Sequence, residues 1–183
     1  PHEYQEYAKE FIVSHKVSAL FLDCGLGKTV ITLTAIWELL FDYFDIRKIL
    51  IIGPLRVSRD TWPAELEKWD HLSGVGMSVA LGSEKERLSA LGRKAQVYVI
   101  NRENVEWLVN ESGLPFDFDM VVIDELSSFK SHKAKRFKAL KKVRPMVRRI
   151  VGLTGTPAPN GLIDLWAEIG ILDMGQRLGR FIG

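Results

Sequence analysis

The chain has 183 residues, 46% of them hydrophobic and 26% charged, with a formal net charge of +2. That length suits one compact domain with a sizeable core, and the composition is ordinary for a globular one. No apolar run reaches the ~18 residues that mark a membrane-spanning helix, and no charged stub precedes an apolar block as in a secretory leader. One cysteine, Cys24, excludes an internal disulfide. His2, His15, His71 and His132 are scattered and assemble no zinc-binding pattern. The charge is segregated: ten of the 25 Lys/Arg fall between positions 130 and 149, which hold no Asp or Glu, so the remainder is net acidic. The chain starts at Pro1 and stops at Gly183 in a Gly-rich stretch, which reads as part of something longer. No repeat or linker divides it, so a single domain is expected over residues 1–183.

In chain order, Tyr4, Tyr7, Ala8, Phe11 and Ile12 recur at helical spacing and predict a first amphipathic helix. The apolar run 17–22 predicts a strand, and Cys24-Gly25-Leu26-Gly27-Lys28-Thr29 follows it, with a helix opening near Lys28. A second strand over 48–52 runs into Gly53-Pro54-Leu55-Arg56. Trp62, Leu66 and Trp69 form the next helical stripe, read as core rather than as a base-stacking platform, as is Trp166. A strand over 77–81 precedes Ser83 and Glu86, which have capping-box spacing ahead of Leu88 and Leu91. Further strands are expected over 97–100, 120–123 and 149–153, and a last helix on Leu162, Leu165, Trp166 and Ile169. These apolar runs are continuous rather than alternating, as in strands buried on both faces of a parallel sheet. Strands alternating with helices define an α/β fold, whose ligands sit beyond the carboxyl ends of the strands.

Chemistry-bearing residues fall at those ends. Glycines let the backbone turn tightly and aim several N–H groups at one phosphate, and the helix that follows adds its positive end. Lys28 can reach the β- and γ-phosphates, and the Thr29 hydroxyl can coordinate Mg²⁺. Position 22, where the strict phosphate-loop pattern has glycine, is leucine. Cys24 is read as a small residue filling the loop rather than as a reactive thiol. The strand over 120–123 ends in Asp124-Glu125. An Asp at a strand end can hold Mg²⁺ through water, and the Glu after it can polarise an attacking water. Helix capping is the plain alternative for such a pair. The basic segment places Ala134, Phe137, Leu140 and Val143 on one side of a helix and lysines with Arg136 on the other. That face could track phosphates or could simply be solvated.

Taken together and in order, these segments resemble the N-terminal lobe of the Swi/Snf-type ATPases, within the DEAD/DEAH-like superfamily-two helicases, and in particular the compact forms encoded by phages and prophages. The resemblance is carried by Tyr4-Gln5, Gly25-Leu26-Gly27-Lys28-Thr29, Pro54-Leu55, Trp62, Glu67-Lys68-Trp69, Asp124-Glu125, Lys135-Arg136-Phe137-Lys138-Ala139-Leu140, and Leu153-Thr154-Gly155-Thr156-Pro157 through Asn160, with Leu165-Trp166. It implies a RecA-like P-loop NTPase fold, a parallel sheet flanked by helices on both faces. It implies an ATP hydrolase that couples hydrolysis to movement on DNA, duplex and sequence-independent, when joined to a second RecA-like lobe that supplies the arginine finger. Alone, the chain is then expected to bind nucleotide weakly and hydrolyse it poorly.

The resemblance also implies residue roles. Gln5 would read adenine, and Gly25, Leu26, Gly27, Lys28 and Thr29 would hold the phosphates. Thr29 and Asp124 would hold the metal, and Glu125 would activate water. Thr154 and Thr156 would couple the ATP state to the nucleic-acid groove, and Arg56 and Lys130 would lie on the DNA side. Turn-forming or solvated roles remain the alternative for Thr154, Thr156, Arg56 and Gln5. Ser127 is assigned to the same coupling; it stands where such proteins usually carry histidine, and serine can still hydrogen-bond but is shorter. A bacterial or phage-encoded cytoplasmic setting is implied, with no membrane partner. A nucleic-acid-binding lobe without chemistry and a small-molecule P-loop kinase are the rival readings. The intact Lys28, Thr29, Asp124 and Glu125 weigh against the first, and the Thr154-Gly155-Thr156-Pro157 segment against the second.

Overall fold

The computed structural model describes residues 3–22, 27–126, 134–155 and 181–182. Its elements in chain order are α1 (Glu3–Ser14), β1 (Val17–Phe21), α2 (Lys28–Phe41), β2 (Ile49–Gly53), α3 (Trp62–Lys68), β3 (Met77–Ala80), α4 (Glu84–Leu91), β4 (Val97–Asn101), α5 (Val105–Asn110), β5 (Met120–Asp124), α6 (Ala134–Val143), β6 (Arg149–Thr154) and the two-residue β7 (Phe181–Ile182). The strands form one sheet in the order β3-β4-β2-β5-β6-β1-β7, and each of its pairings is parallel. The six expected strands are present within a residue of their predicted ends.

Side chains alternate across a strand, so consecutive residues serve different faces. Leu50, Ile52, Val121, Ile123 and Ile150 pack with Leu91 of α4, Leu108 of α5 and Leu140 of α6. Ile49, Ile51, Met120, Val122 and Leu153 pack on the other face with Ile12 of α1, Ile36 of α2 and Trp62 of α3. Both faces are therefore covered, which is why β2, β4, β5 and β6 are buried along their whole length. The edge strand β3 departs from this, with burial only at Ser78 and Ala80.

The helices correct three readings, the first being Trp69, read as core but 37% exposed at the end of α3, with its indole N–H donating to Glu65 at 2.8 Å. On α1 the buried residues are Ala8, Lys9, Phe11 and Ile12, while Tyr7 is 62% and Tyr4 38% exposed. The buried face is turned toward Lys9 because its ammonium bridges Glu6, Glu10 and, on α2, Glu38, at 2.7–2.8 Å. Burial acts to lower the Lys9 pKa, but the three carboxylates outweigh it and hold the ammonium well above its usual range. On α6, Leu140 and Val143 of the expected stripe are buried and Phe137 is partly buried, with Ala139 buried beside them. Arg136 is not on the open face: only 12% of its side chain is exposed and it lies 3.9 Å from Glu103, so this charge is drawn inward by a carboxylate. The Ser83–Glu86 capping box forms as the sequence spacing requires.

Candidate active site

Because the sheet is parallel, β1, β6 and β5 end side by side. Phe21 pairs with Thr154, and Leu153 pairs with Asp124. The carboxyl edge of the sheet therefore gathers the start of α2, the end of β6 and the acidic end of β5 in one place. Thr154 is buried there, and its carbonyl accepts a hydrogen bond from the Leu22 N–H at 3.0 Å.

Gly27 precedes α2 in the left-handed region, with φ of 76°. A β-carbon there would come within 2.9 Å of the Gln5 Nε2 and 3.2 Å of Val30. The backbone angle is what calls for glycine, and the Gln5 amide of α1 rests against the space it leaves. Lys28 and Thr29 follow in the first turn, both buried.

Lys28 meets the acidic pair although it lies 97 positions from Glu125 in the chain. Its Nζ is 3.1 Å from Asp124 Oδ1 and donates to Glu125 Oε1 at 2.5 Å. The Asp124 side chain is fully buried, and its Oδ2 accepts a hydrogen bond from the Trp62 indole N–H at 3.1 Å. Glu125 leaves the strand with φ of 58°, a left-handed conformation uncommon outside glycine, of the kind that collects at functional sites.

The electrostatics are lopsided. For Lys28, burial works to lower the pKa, but the charges of Asp124 and Glu125 prevail and hold the ammonium above its ordinary value. For Asp124, burial dominates and raises the carboxyl above the usual range despite Lys28 and Trp62. Among the described residues, the close polar partner of Asp124 Oδ1 is the Lys28 ammonium at 3.1 Å. A buried carboxylate whose one cation is shared with Glu125 is undercompensated, so it has room for further positive charge. That fits a Mg²⁺ ion, with Thr29 and Asp124 as the oxygen donors that such a hard cation prefers.

Arg56 is exposed beyond β2, next to Leu55, which is 49% exposed. Gly25, Leu26, Ser127, Lys130 and Thr156, together with Cys24 and the last predicted helix, lie outside the described residues. Three features were not read from the sequence. Trp62 was placed in the core, where it is, but its link to Asp124 was not foreseen. A buried indole N–H usually needs an acceptor, and that was the available signal. Gly53 is the second: a β-carbon there would sit 3.3 Å from both the Asp124 β-carbon and Ser58 Oγ. The third lies at the end of β4, where the Asn101 side-chain N–H donates to Glu103 at 3.0 Å and its Oδ1 accepts from Asn104 at 2.6 Å, beside an Arg102–Glu103 ion pair.

A parallel sheet with a Gly-Lys-Thr helix start facing a strand-end Asp-Glu pair defines a RecA-like nucleotide-binding lobe of the helicase type. The SNF2-related domain family matches residues 4–176, and the chain belongs to that family. It is 40% identical over 186 residues to Putative protein p41 of Acyrthosiphon pisum secondary endosymbiont phage 1, covering 98% of this chain and 40% of that protein. It is 32% identical over 165 residues to the mouse (Mus musculus) DNA excision repair protein ERCC-6-like, covering 86% of this chain and 13% of that one. The chain thus spans well under half the length of these relatives. Among solved structures it is similar to the Sulfolobus solfataricus SWI2/SNF2 ATPase core in complex with dsDNA, with a TM-score of 0.73, 25% identity, and coverage of 94% of this chain and 36% of that one. The UvsW helicase of bacteriophage T4 shares the fold, with a TM-score of 0.72 at 19% identity over all of this chain and 59% of that one. Among the described residues, no helix is long and apolar enough to cross a membrane.

Proposed function

We propose that the chain is the ATP-binding lobe of a DNA-dependent Swi/Snf-type motor, which hydrolyses Mg-ATP and moves along duplex DNA when joined to a second RecA-like lobe. The observation that carries this reading is the meeting of Lys28 with both Asp124 and Glu125. In the nucleotide-free arrangement, Lys28 is neutralised by the carboxylates. When ATP arrives, the β- and γ-phosphates take over Lys28, together with the backbone N–H groups of the loop at Gly25, Leu26 and Gly27. Gln5, already against Gly27, takes the adenine edge. Thr29 and Asp124 hold the metal. Magnesium, when bound, offsets charge on the β- and γ-phosphate oxygens.

Losing Lys28 frees Glu125. Its carboxylate accepts a proton from the water whose oxygen attacks the γ-phosphorus, as the bond to the ADP oxygen breaks. Thr154 and Thr156, with Ser127, pass the state of this site to the DNA groove, where Arg56 and Lys130 contact phosphates without reading bases. The relatives extend well beyond the length of this chain, which supports a second lobe that supplies the arginine finger. The similarity to the phage protein supports a phage or bacterial cytoplasmic setting.

The test is ATP hydrolysis by this lobe joined to its second lobe, with and without duplex DNA. DNA is expected to stimulate turnover, and the lobe alone to be slower by about three to five orders of magnitude for want of the finger. Equal turnover by the lone lobe, or indifference to DNA, would overturn the reading.

A further inference from the structure

The Trp62–Asp124 contact is held by more than one device. A helical path leads away from the end of β2, and residues Val57–Thr61 form a π-helical turn within it. The backbone N–H of Trp62 accordingly reaches back five residues to the Val57 carbonyl. A turn of this kind carries one residue more than an α-helical turn and rotates everything after it, a feature found often at functional sites. Here the rotation delivers Trp62 to the underside of β5, where its side chain is completely buried. Gly53, the last residue of β2, leaves the gap through which Ser58 and Asp124 approach. The indole N–H then donates to Asp124 Oδ2, while Oδ1 faces Lys28.

We propose that Trp62 is a positioning residue for the metal-binding carboxylate: its N–H fixes Asp124 Oδ2 so that Oδ1 alone is presented to the phosphate loop and to Mg²⁺. This rests on the nucleotide-site reading above. An indole is suited to the task because it donates and cannot accept, so it never competes for the metal. Its rings are completely buried in the apolar cluster to which α2 and the sheet contribute, which holds the donor against the carboxylate. Hydrogen bonds that orient a ligating carboxylate typically matter 10–100-fold in metal affinity.

The experiment compares ATP affinity in saturating magnesium with that in EDTA, for the wild type, Lys28→Ala and Trp62→Phe, each checked for folding by circular dichroism. Phenylalanine keeps an aromatic ring in the pocket and removes only the donor and the ring beyond it. The magnesium-dependent gain in ATP affinity is expected to fall at least about tenfold in Trp62→Phe, with affinity in EDTA unchanged. A merely structural tryptophan would change both affinities or neither, and either result overturns the proposal. A wild type with no magnesium-dependent gain, or a Lys28→Ala that binds normally, instead overturns the nucleotide-site reading beneath it. If Trp62→Phe does not fold, the wild type is read by its tryptophan indole N–H resonances. One resonance must move both in Asp124→Asn and when magnesium is added to the ATP complex. If none responds to both, Trp62 does not position Asp124.

Discussion

Lys28 cannot serve its carboxylates and a triphosphate at once. Three charged groups share one small volume, and two of them, Lys28 and Asp124, are nearly excluded from water. In such surroundings each charge is stabilised chiefly by its neighbours, so exchange of partners is the natural response to a polyanion. Glu125 is the residue whose role depends most on this exchange. Glu125→Gln keeps an acceptor for Lys28 but not a base. Hydrolysis by the two-lobed protein is expected to fall about 10²- to 10⁴-fold with ATP affinity nearly unchanged, measured as single-turnover rate against equilibrium binding. A parallel loss of affinity would show that Glu125 builds the site rather than acting in it.

Residue identities at this site were legible in the sequence because Gly27-Lys28-Thr29 and Asp124-Glu125 are local patterns with one economical chemical reading. What joins them was not. Trp62 and Asp124 are 62 positions apart, and no periodicity in either segment announces the other. Arg136 likewise lies on the polar side of a helical wheel, and only the fold brings Glu103 within its reach.

At the level of elements, the joins between helices and sheet depend on buried charge as well as on apolar stripes. Arg149 opens β6 nearly buried, and its guanidinium donates to Asp45 Oδ2 at 2.6 Å, to the Ile12 carbonyl at 3.1 Å and to the His15 carbonyl at 3.3 Å. It thereby satisfies carbonyls at the end of α1, which have no helical partner, and ties that helix to the sheet. Arg148 adds a second ion pair to Asp45 at 3.0 Å. Burial alone would raise the Asp45 pKa, but the two arginines outweigh it and hold the carboxyl below its ordinary 3.8.

The unfolded chain keeps that ordinary value. The stabilisation is therefore fully present above about pH 4 and is lost as pH falls through the depressed folded pKa. Asp45→Asn is expected to lower stability to denaturant at pH 7, with the difference from wild type closing as the pH falls below the ordinary 3.8 and through the depressed folded value. A deficit that persists unchanged at low pH would assign Asp45 a packing role instead. The helical stripe of α1 is right in period and displaced in centre. On α1 the face turned from Tyr7 toward Lys9, because Glu38 of α2 offers a partner for that ammonium, and a helix read alone does not reveal its neighbour's charges.

On the scale of the whole molecule, the strand sequence was the most legible feature, since runs such as Ile49-Leu50-Ile51-Ile52 can be buried only between two layers. The order of strands was not legible. It arises from crossovers that place β5 between β2 and β6, and β6 between β5 and β1. That order is what brings two motifs from opposite halves of the chain to one edge.

The central claim is that this edge binds Mg-ATP through Lys28 and the acidic pair, and equilibrium binding of ATP and GTP to the chain, with and without magnesium, tests it most directly when wild type is set beside Lys28→Ala. Preference for ATP, tighter binding with magnesium and loss of both in Lys28→Ala are the expected results. Binding that is equal for the two nucleotides, indifferent to magnesium or untouched by Lys28→Ala would contradict it.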